Sequence, residues 1–251
     1  LAGERGTRTV VPRFTLIAAS GGDIHLVFWI AVIPALLAVA VLVVAVREPA
    51  RPASPATTAR SPIHPSELMR LGPTYWRLVT VGTVLTLARF SEAFLILRAQ
   101  DLGLVATLVP LVLVVMNVVY GLVAYPMGIL ADRKDPKLLL CAGFGVLVAA
   151  DVILAFAPNL WVGVFGVALW GLHMGMTQGL LASLVSAAVP ADRRGTAFGV
   201  YNLAGGVALL LASVLAGALW QSYGPGSTFM VGAAFTMVGL IGAVTLLRRD
   251  P

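Results

Sequence analysis

The chain has 251 residues, 59% of them hydrophobic and 11% charged, with a formal net charge of +6. A water-soluble domain carries about 25% charged residues, so this composition excludes an ordinary water-facing surface and points to a lipid bilayer as the partner. A nucleic-acid partner is a poor reading of the net charge, because the basic residues fall between the apolar runs; the single cysteine, Cys141, excludes a disulfide framework.

Residues 1–25 are too polar to span and lack the basic-then-apolar order of a secretory signal. Beyond them, span length is set by geometry: a helix rises 1.5 Å per residue, so about 20 apolar residues cross a hydrocarbon core about 30 Å thick. Apolar stretches meet that length at 26–46, 76–97, 105–130, 138–157, 160–188, 196–221 and 227–247, the longer ones tilting or running past the bilayer. Each must be helical, because hydrocarbon offers no partner to an unpaired backbone group. The expected fold is an all-α membrane protein, a polytopic helical bundle with seven transmembrane helices. Residues 47–75 are the one linker, extended by Pro49, Pro52, Pro55, Pro62, Pro65 and Pro73, with room for a short interfacial helix over Ser66–Leu71 that Ser66 caps and Gly72 ends. The organisation is thus an isolated helix at 26–46, a linker at 47–75, a compact six-helix block over 76–247 and a tail at 248–251.

Loop charge gives the orientation. Arg47, Arg51, Arg60, Arg70 and Arg77 lie on one set of loops, together with Arg133, Lys134, Lys137, Arg193, Arg194, Arg248 and Arg249; the opposite set holds Arg98 alone. The basic loops and the C-terminus are therefore expected in the cytoplasm, in a cell inner membrane. Arg5, Arg8 and Arg13 do not fit that pattern.

The loop after the third span reads Gly128-Ile-Leu-Ala-Asp132-Arg133-Lys134-Asp135-Pro136-Lys137. It resembles the G-x-L-A-D-R-x-x-x-K/R loop signature of the major facilitator superfamily. Pro190-Ala-Asp-Arg-Arg-Gly195-Thr-Ala-Phe-Gly199-Val-Tyr-Asn202 is similar to that family's loop and span between its tenth and eleventh helices. The resemblance covers about 26–247 and implies that 26–46 is the sixth helix and 76–247 the second six-helix half, built of inverted three-helix repeats around a central cavity. Five further helices and most of one cavity wall are then expected from a missing N-terminal half, and residues 1–25 do not look like the fifth helix. In the signature, Gly128 permits close helix approach, while Asp132, with Arg133 and Lys137, forms a gating contact that latches one conformation; the bland reading is a cytoplasmic turn with topology-setting charge.

Charged and polar residues inside spans are the remaining candidates, since each charge at a helix centre costs roughly 2.5–3.5 kcal/mol. Arg89 and Glu92 sit three apart in the second span, with Glu92 a candidate proton carrier and Arg89 its partner or an anion contact; the alternative is a structural ion pair near the outer end. His173 and Gln178 lie in the fifth span, where Gly171, Gly175 and Gly179 form a small-residue ridge for close packing. His173 titrates near neutral pH when unperturbed and is a proton or substrate candidate, against simple interhelical hydrogen bonding. Asn117 in the third span and Asn202 in the sixth are candidate cavity residues under the same alternative, and Tyr120 and Tyr125 of the third span could line a cavity beside them. Asp151 reads more readily as an interhelical hydrogen bond. Trp29, Trp76, Trp161 and Trp220 sit near span ends, as an interfacial belt requires.

No H-E-x-x-H, G-x-S-x-G or P-loop pattern occurs, so no enzyme, metal or cofactor is expected. The function expected is secondary active transport of a small solute by alternating access, with proton-coupled efflux preferred. The alternative is a truncated, inactive half-transporter that needs the missing helices.

Overall fold

The computed structural model describes residues 71–247 continuously and scattered positions between Trp29 and Val44. Two compact units divide the chain, Leu1–Ala59 and Arg60–Pro251. In the first, the described positions between Trp29 and Val44 are helical and exposed, as lipid-facing residues are. The expectations for residues 1–25, for most of the linker with its Ser66 helix, and for the 248–251 tail lie outside the described residues.

The second unit is a bundle of six membrane-length spans. The first, from Pro73 to Asp101, consists of two helices, α1 (Pro73–Ala88) and α2 (Ala93–Asp101). The other spans are α3 (Pro110–Ala131), α4 (Pro136–Phe156), α5 (Leu160–Ala187), α6 (Arg194–Tyr223) and α7 (Pro225–Leu247), with short 3-10 turns preceding α3 and α6. Local chemistry sets the ends. Asp135 caps α4 by accepting from the Lys137 amide at 2.9 Å, with Pro136 at the first helical position. Asn159 does the same for α5 through the Val162 amide at 3.1 Å. Gly224, at φ 85°, turns the chain sharply between α6 and α7, a conformation other residues reach only with strain.

The break within the first span departs from the continuous helix expected over 76–97. Its cause is local. The Arg89 amide donates to both Leu85 and Thr86 carbonyls, tightening the end of α1. Ser91 restarts the helix: its carbonyl accepts from the Phe94 amide at 3.0 Å and its hydroxyl from the Ala93 amide at 3.3 Å. Arg89 and Glu92 consequently flank a helix break and do not share the i, i+3 geometry of one continuous helix.

Helix contacts follow a two-fold pattern. α3 packs on α5 as α6 packs on α1; α4 packs on α5 as α7 packs on α1; and α4 meets α7 directly. Exchanging the first three spans for the last three reproduces these principal contacts. Because successive spans alternate in direction, the two groups are related as inverted repeats. α3 and α6 bury the smallest share of their surface, and α4 and α5 the largest. Where α3 meets α5 the backbones touch: a Cβ on Gly171 would overlap the Met116 carbonyl, and one on Gly175 would lie 3.0 Å from the Tyr120 carbonyl. Gly179, the third glycine of the ridge, has open space around it.

Arg98, the one basic residue on the poorly charged side, is 8% exposed and does not act as a loop charge. Its guanidinium donates to the Leu154, Ala155 and Ala157 carbonyls at 2.9, 3.4 and 3.1 Å, and pairs with Asp101. It thereby satisfies the carbonyls at the C-terminal end of α4, where a cation is favoured by the helix dipole.

Two stability predictions result. Gly171→Ala should destabilise the protein by about 1–3 kcal/mol through overpacking, whereas Gly179→Ala should be close to neutral; thermal unfolding in detergent compares them, and equal effects would contradict the ridge geometry. Arg98→Ala should cost at least about 1–3 kcal/mol by stranding buried carbonyls, and Arg98→Lys should recover only part of it, since an ammonium cannot fork to three acceptors.

Candidate functional site

The break in the first span opens onto a cavity of about 350 Å³ between α1, α5 and α6, closed at one side by Phe144 of α4. α1 contributes Gly82, Leu85 and Thr86, with Arg89 immediately after its last residue. α5 contributes His173, Thr177, Gln178, Leu181 and Ala182, and α6 contributes Phe198, Tyr201 and Asn202. α1 and α5 open the two repeats, so the cavity lies beside their pseudo-two-fold relation.

Polar groups converge on it at two levels. Arg89 and Gln178 face each other: with its carboxamide oxygen toward the guanidinium, Gln178 accepts from both terminal nitrogens, at 3.2 and 3.3 Å. His173 is almost fully buried, and its Nδ1 lies 2.9 Å from the Gly143 carbonyl. A carbonyl only accepts, so Nδ1 carries the hydrogen; in the neutral ring this leaves Nε2 as an acceptor, and Nε2 has no partner among the described residues. Thr86 and Thr177 donate back to the Gly82 and His173 carbonyls one turn earlier, at 2.8 and 2.9 Å. Tyr201 lies against α1 at Gly82, where a Cβ would come within 2.7 Å of the ring, so only glycine admits the tyrosine there.

Four of the six pathway candidates from the sequence therefore line one cavity: Arg89, His173, Gln178 and Asn202. Glu92 does not line it. It is half-buried, directly before α2, within electrostatic reach of Arg89 but without an ion pair to it. Asn117 is exposed on α3 and turns back on its own helix, its Nδ2 donating to the Leu113 carbonyl at 2.8 Å.

The loop residues form a separate group. Gly128 is exposed near the end of α3 with open space around it, Asp132 caps that end, Arg133 follows it in the turn, and Lys137 stands in the first turn of α4. The close approach expected at Gly128 is not made within the described residues.

Asp151 is fully buried and neither of its oxygens has a hydrogen-bond partner among the described residues, so the interhelical bond expected of it does not form there. A Cβ on Gly232 of α7 would lie 3.1 Å from its Oδ2 and 3.2 Å from the Ala88 carbonyl. The carboxyl group therefore sits near the end of α1, beside the break. Phe90, within the break, is fixed by ring contacts to Phe94, Trp170 and Phe229 at centroid distances of 5.3, 5.4 and 5.3 Å.

Phe198, Tyr201, Thr86, Thr177 and Phe144 were not candidates from the sequence. A signal for two of them was present: Phe198, Tyr201 and Asn202 are spaced i, i+3, i+4 and so share one face of a helix otherwise rich in small residues.

Residues 87–251 match the model of the Major Facilitator Superfamily. An uncharacterised transporter of that type from Methanocaldococcus jannaschii is 29% identical over 166 residues, covering 64% of this chain and 42% of the relative. A protein named multidrug resistance protein MdtG from Escherichia fergusonii is 30% identical over 177 residues, covering 66% and 42%. Among solved structures, the fucose:proton symporter of E. coli superposes with a TM-score of 0.68 at 17% identity, over 89% of this chain and 55% of that one, and so shares the fold. The chain spans less than half the length of the curated relatives it matches. By its family match and by a bundle of membrane-length helices packed as inverted repeats, this chain is a multi-pass membrane protein belonging to the Major Facilitator Superfamily.

Proposed function

We propose that the chain builds one wall of the solute pathway of a secondary active transporter, which moves a small solute by alternating access and couples export to proton entry. The observation that carries this reading is the cavity beside the helix break, where Arg89, His173, Gln178 and Asn202 converge within an otherwise apolar bundle. Polar side chains in a membrane interior are costly, and they persist where they meet water, one another or a solute. A site at the repeat interface, bordered by a discontinuous helix, is where transporters of this construction hold their cargo. Efflux and proton coupling are supported more distantly, by relatives named for multidrug resistance and by a structural neighbour named a proton symporter.

Glu92 is the proposed proton carrier and His173 an accessory. Asp132, Arg133 and Lys137, with Gly128, form the proposed gating loop on the cytoplasmic side, with the C-terminus on that side of an inner membrane.

Flux in vesicles tests the reading, using the protein produced from its native gene. Small solutes are screened for their ability to dissipate an imposed pH gradient. Solutes that do so should lose the effect in Phe198→Trp, which fills the cavity, by at least about tenfold, the size of a modest change in binding free energy. Glu92→Gln should abolish the pH-driven component while the protein remains folded. Undiminished pH-driven flux in Glu92→Gln would remove Glu92 from the coupling, and flux indifferent to Phe198→Trp would place the pathway elsewhere.

A further inference from the structure

Resting on that transport reading, we infer that the cavity selects organic anions, with Arg89 holding the solute's carboxylate or phosphate-type head. Among the described residues, those lining the cavity include an arginine but no aspartate or glutamate. Arg89 makes no ion pair among the described residues, and Glu92 lies near it without pairing. An arginine has five N–H donors in a planar fork, and among the described residues the acceptor hydrogen-bonded to Arg89 is the Gln178 carboxamide oxygen.

Arg98, in the same span, shows what a structural arginine looks like in this fold. Its fork is filled by three carbonyls and a carboxylate. Arg89 instead presents a guanidinium without an ion pair to the cavity, Glu92 lying nearby but outside the lining, a setting that favours an anion and disfavours a cation.

The surrounding groups extend the match. The Gln178 amide nitrogen, turned away from the guanidinium, and Asn202 supply further donors. Thr86, Thr177 and Tyr201 also line the cavity, and Leu85, Phe144, Leu181 and Phe198 are its large apolar side chains, placed to hold a hydrocarbon or aromatic body. The solute class is therefore an amphiphilic organic anion with one acidic head.

The test uses the protein from its native gene in nanodiscs, with three probes of one size and shape: 4-phenylbutyrate, its amide and 4-phenylbutylamine. Equilibrium binding should favour the carboxylate over both others by at least tenfold. Arg89→Gln should erase that margin and Arg89→Lys should keep part of it, with unfolding temperatures unchanged.

Equal binding of the three probes, all lost in Phe198→Trp, would leave a solute site but overturn the anion selectivity. A margin that survives Arg89→Gln would overturn the role of Arg89. Absence of saturable binding by any probe would also overturn the inference, while the transport reading would still be judged by vesicle flux, which does not use these probes. Discs of phosphatidylcholine with and without phosphatidylglycerol distinguish a soluble anion from a lipid headgroup. Carboxylate binding displaced by phosphatidylglycerol, in the wild type alone, would assign Arg89 to lipid and contradict a solute role.

Discussion

A helix crossing a bilayer satisfies its backbone hydrogen bonds within itself, and Arg89–Glu92 is where this chain gives that up. Unpaired backbone groups at membrane depth are tolerated only where protein or water meets them. The break is accommodated by Ser91 capping α2, by the Arg89 amide doubling back on α1, and by Phe90 wedged among Phe94, Trp170 and Phe229. Those contacts free Arg89 to leave the helix direction and enter the cavity. Glu92 takes the position before the first residue of α2, where a negative charge is favoured by the helix dipole whatever else it does.

Symmetry then explains where the cavity falls. The two repeats place α1 and α5 as equivalent elements, but their sequences differ at the critical point. α5 runs unbroken for 28 residues, stiffened on one face by glycines that seat it against α3. α1 stops at Ala88. An intact helix and a broken one at equivalent positions leave space and unpaired polar groups on one side of their contact. Tyr201 and Phe198 on α6 close the remaining side, Tyr201 reaching α1 only because residue 82 is glycine. The least buried spans, α3 and α6, carry their apolar faces outward, as surfaces covered by lipid or other helices do.

Much of this was legible in the sequence. Span number and ends follow from apolar length, and the structure moves most boundaries by only a few residues, because hydrocarbon thickness is a strong constraint and Pro136 and Asn159 mark starts plainly. The intramembrane charges were equally visible, since burying them is costly enough to make each one informative. The break was not read, because Arg89-Phe90-Ser91-Glu92 is too short to lower the apolar average of its span, although a serine ahead of a helix start was a usable signal. Helical rotation was the other loss. Asn117 and Asn202 look alike in sequence and both are exposed, yet of the two Asn202 borders the cavity, because the packing of α3 and α6 on their neighbours decides which face meets it. Arg98 looked like a stray loop charge because its acceptors, the Leu154, Ala155 and Ala157 carbonyls, come from a different span.

A solute pathway through the cavity between α1, α5 and α6 must admit water from outside the membrane, and cysteine accessibility tests this most directly. With Cys141 replaced by serine, cysteines are placed singly at Gln178 and Asn202 in the cavity, at Leu122 on the exposed face of α3, and at Leu154 in the core. A charged, membrane-impermeant thiol reagent should modify Gln178→Cys and Asn202→Cys readily and leave Leu122→Cys and Leu154→Cys unmodified. Labelling at the two cavity positions no faster than at Leu154→Cys would show a dry interior and contradict the account.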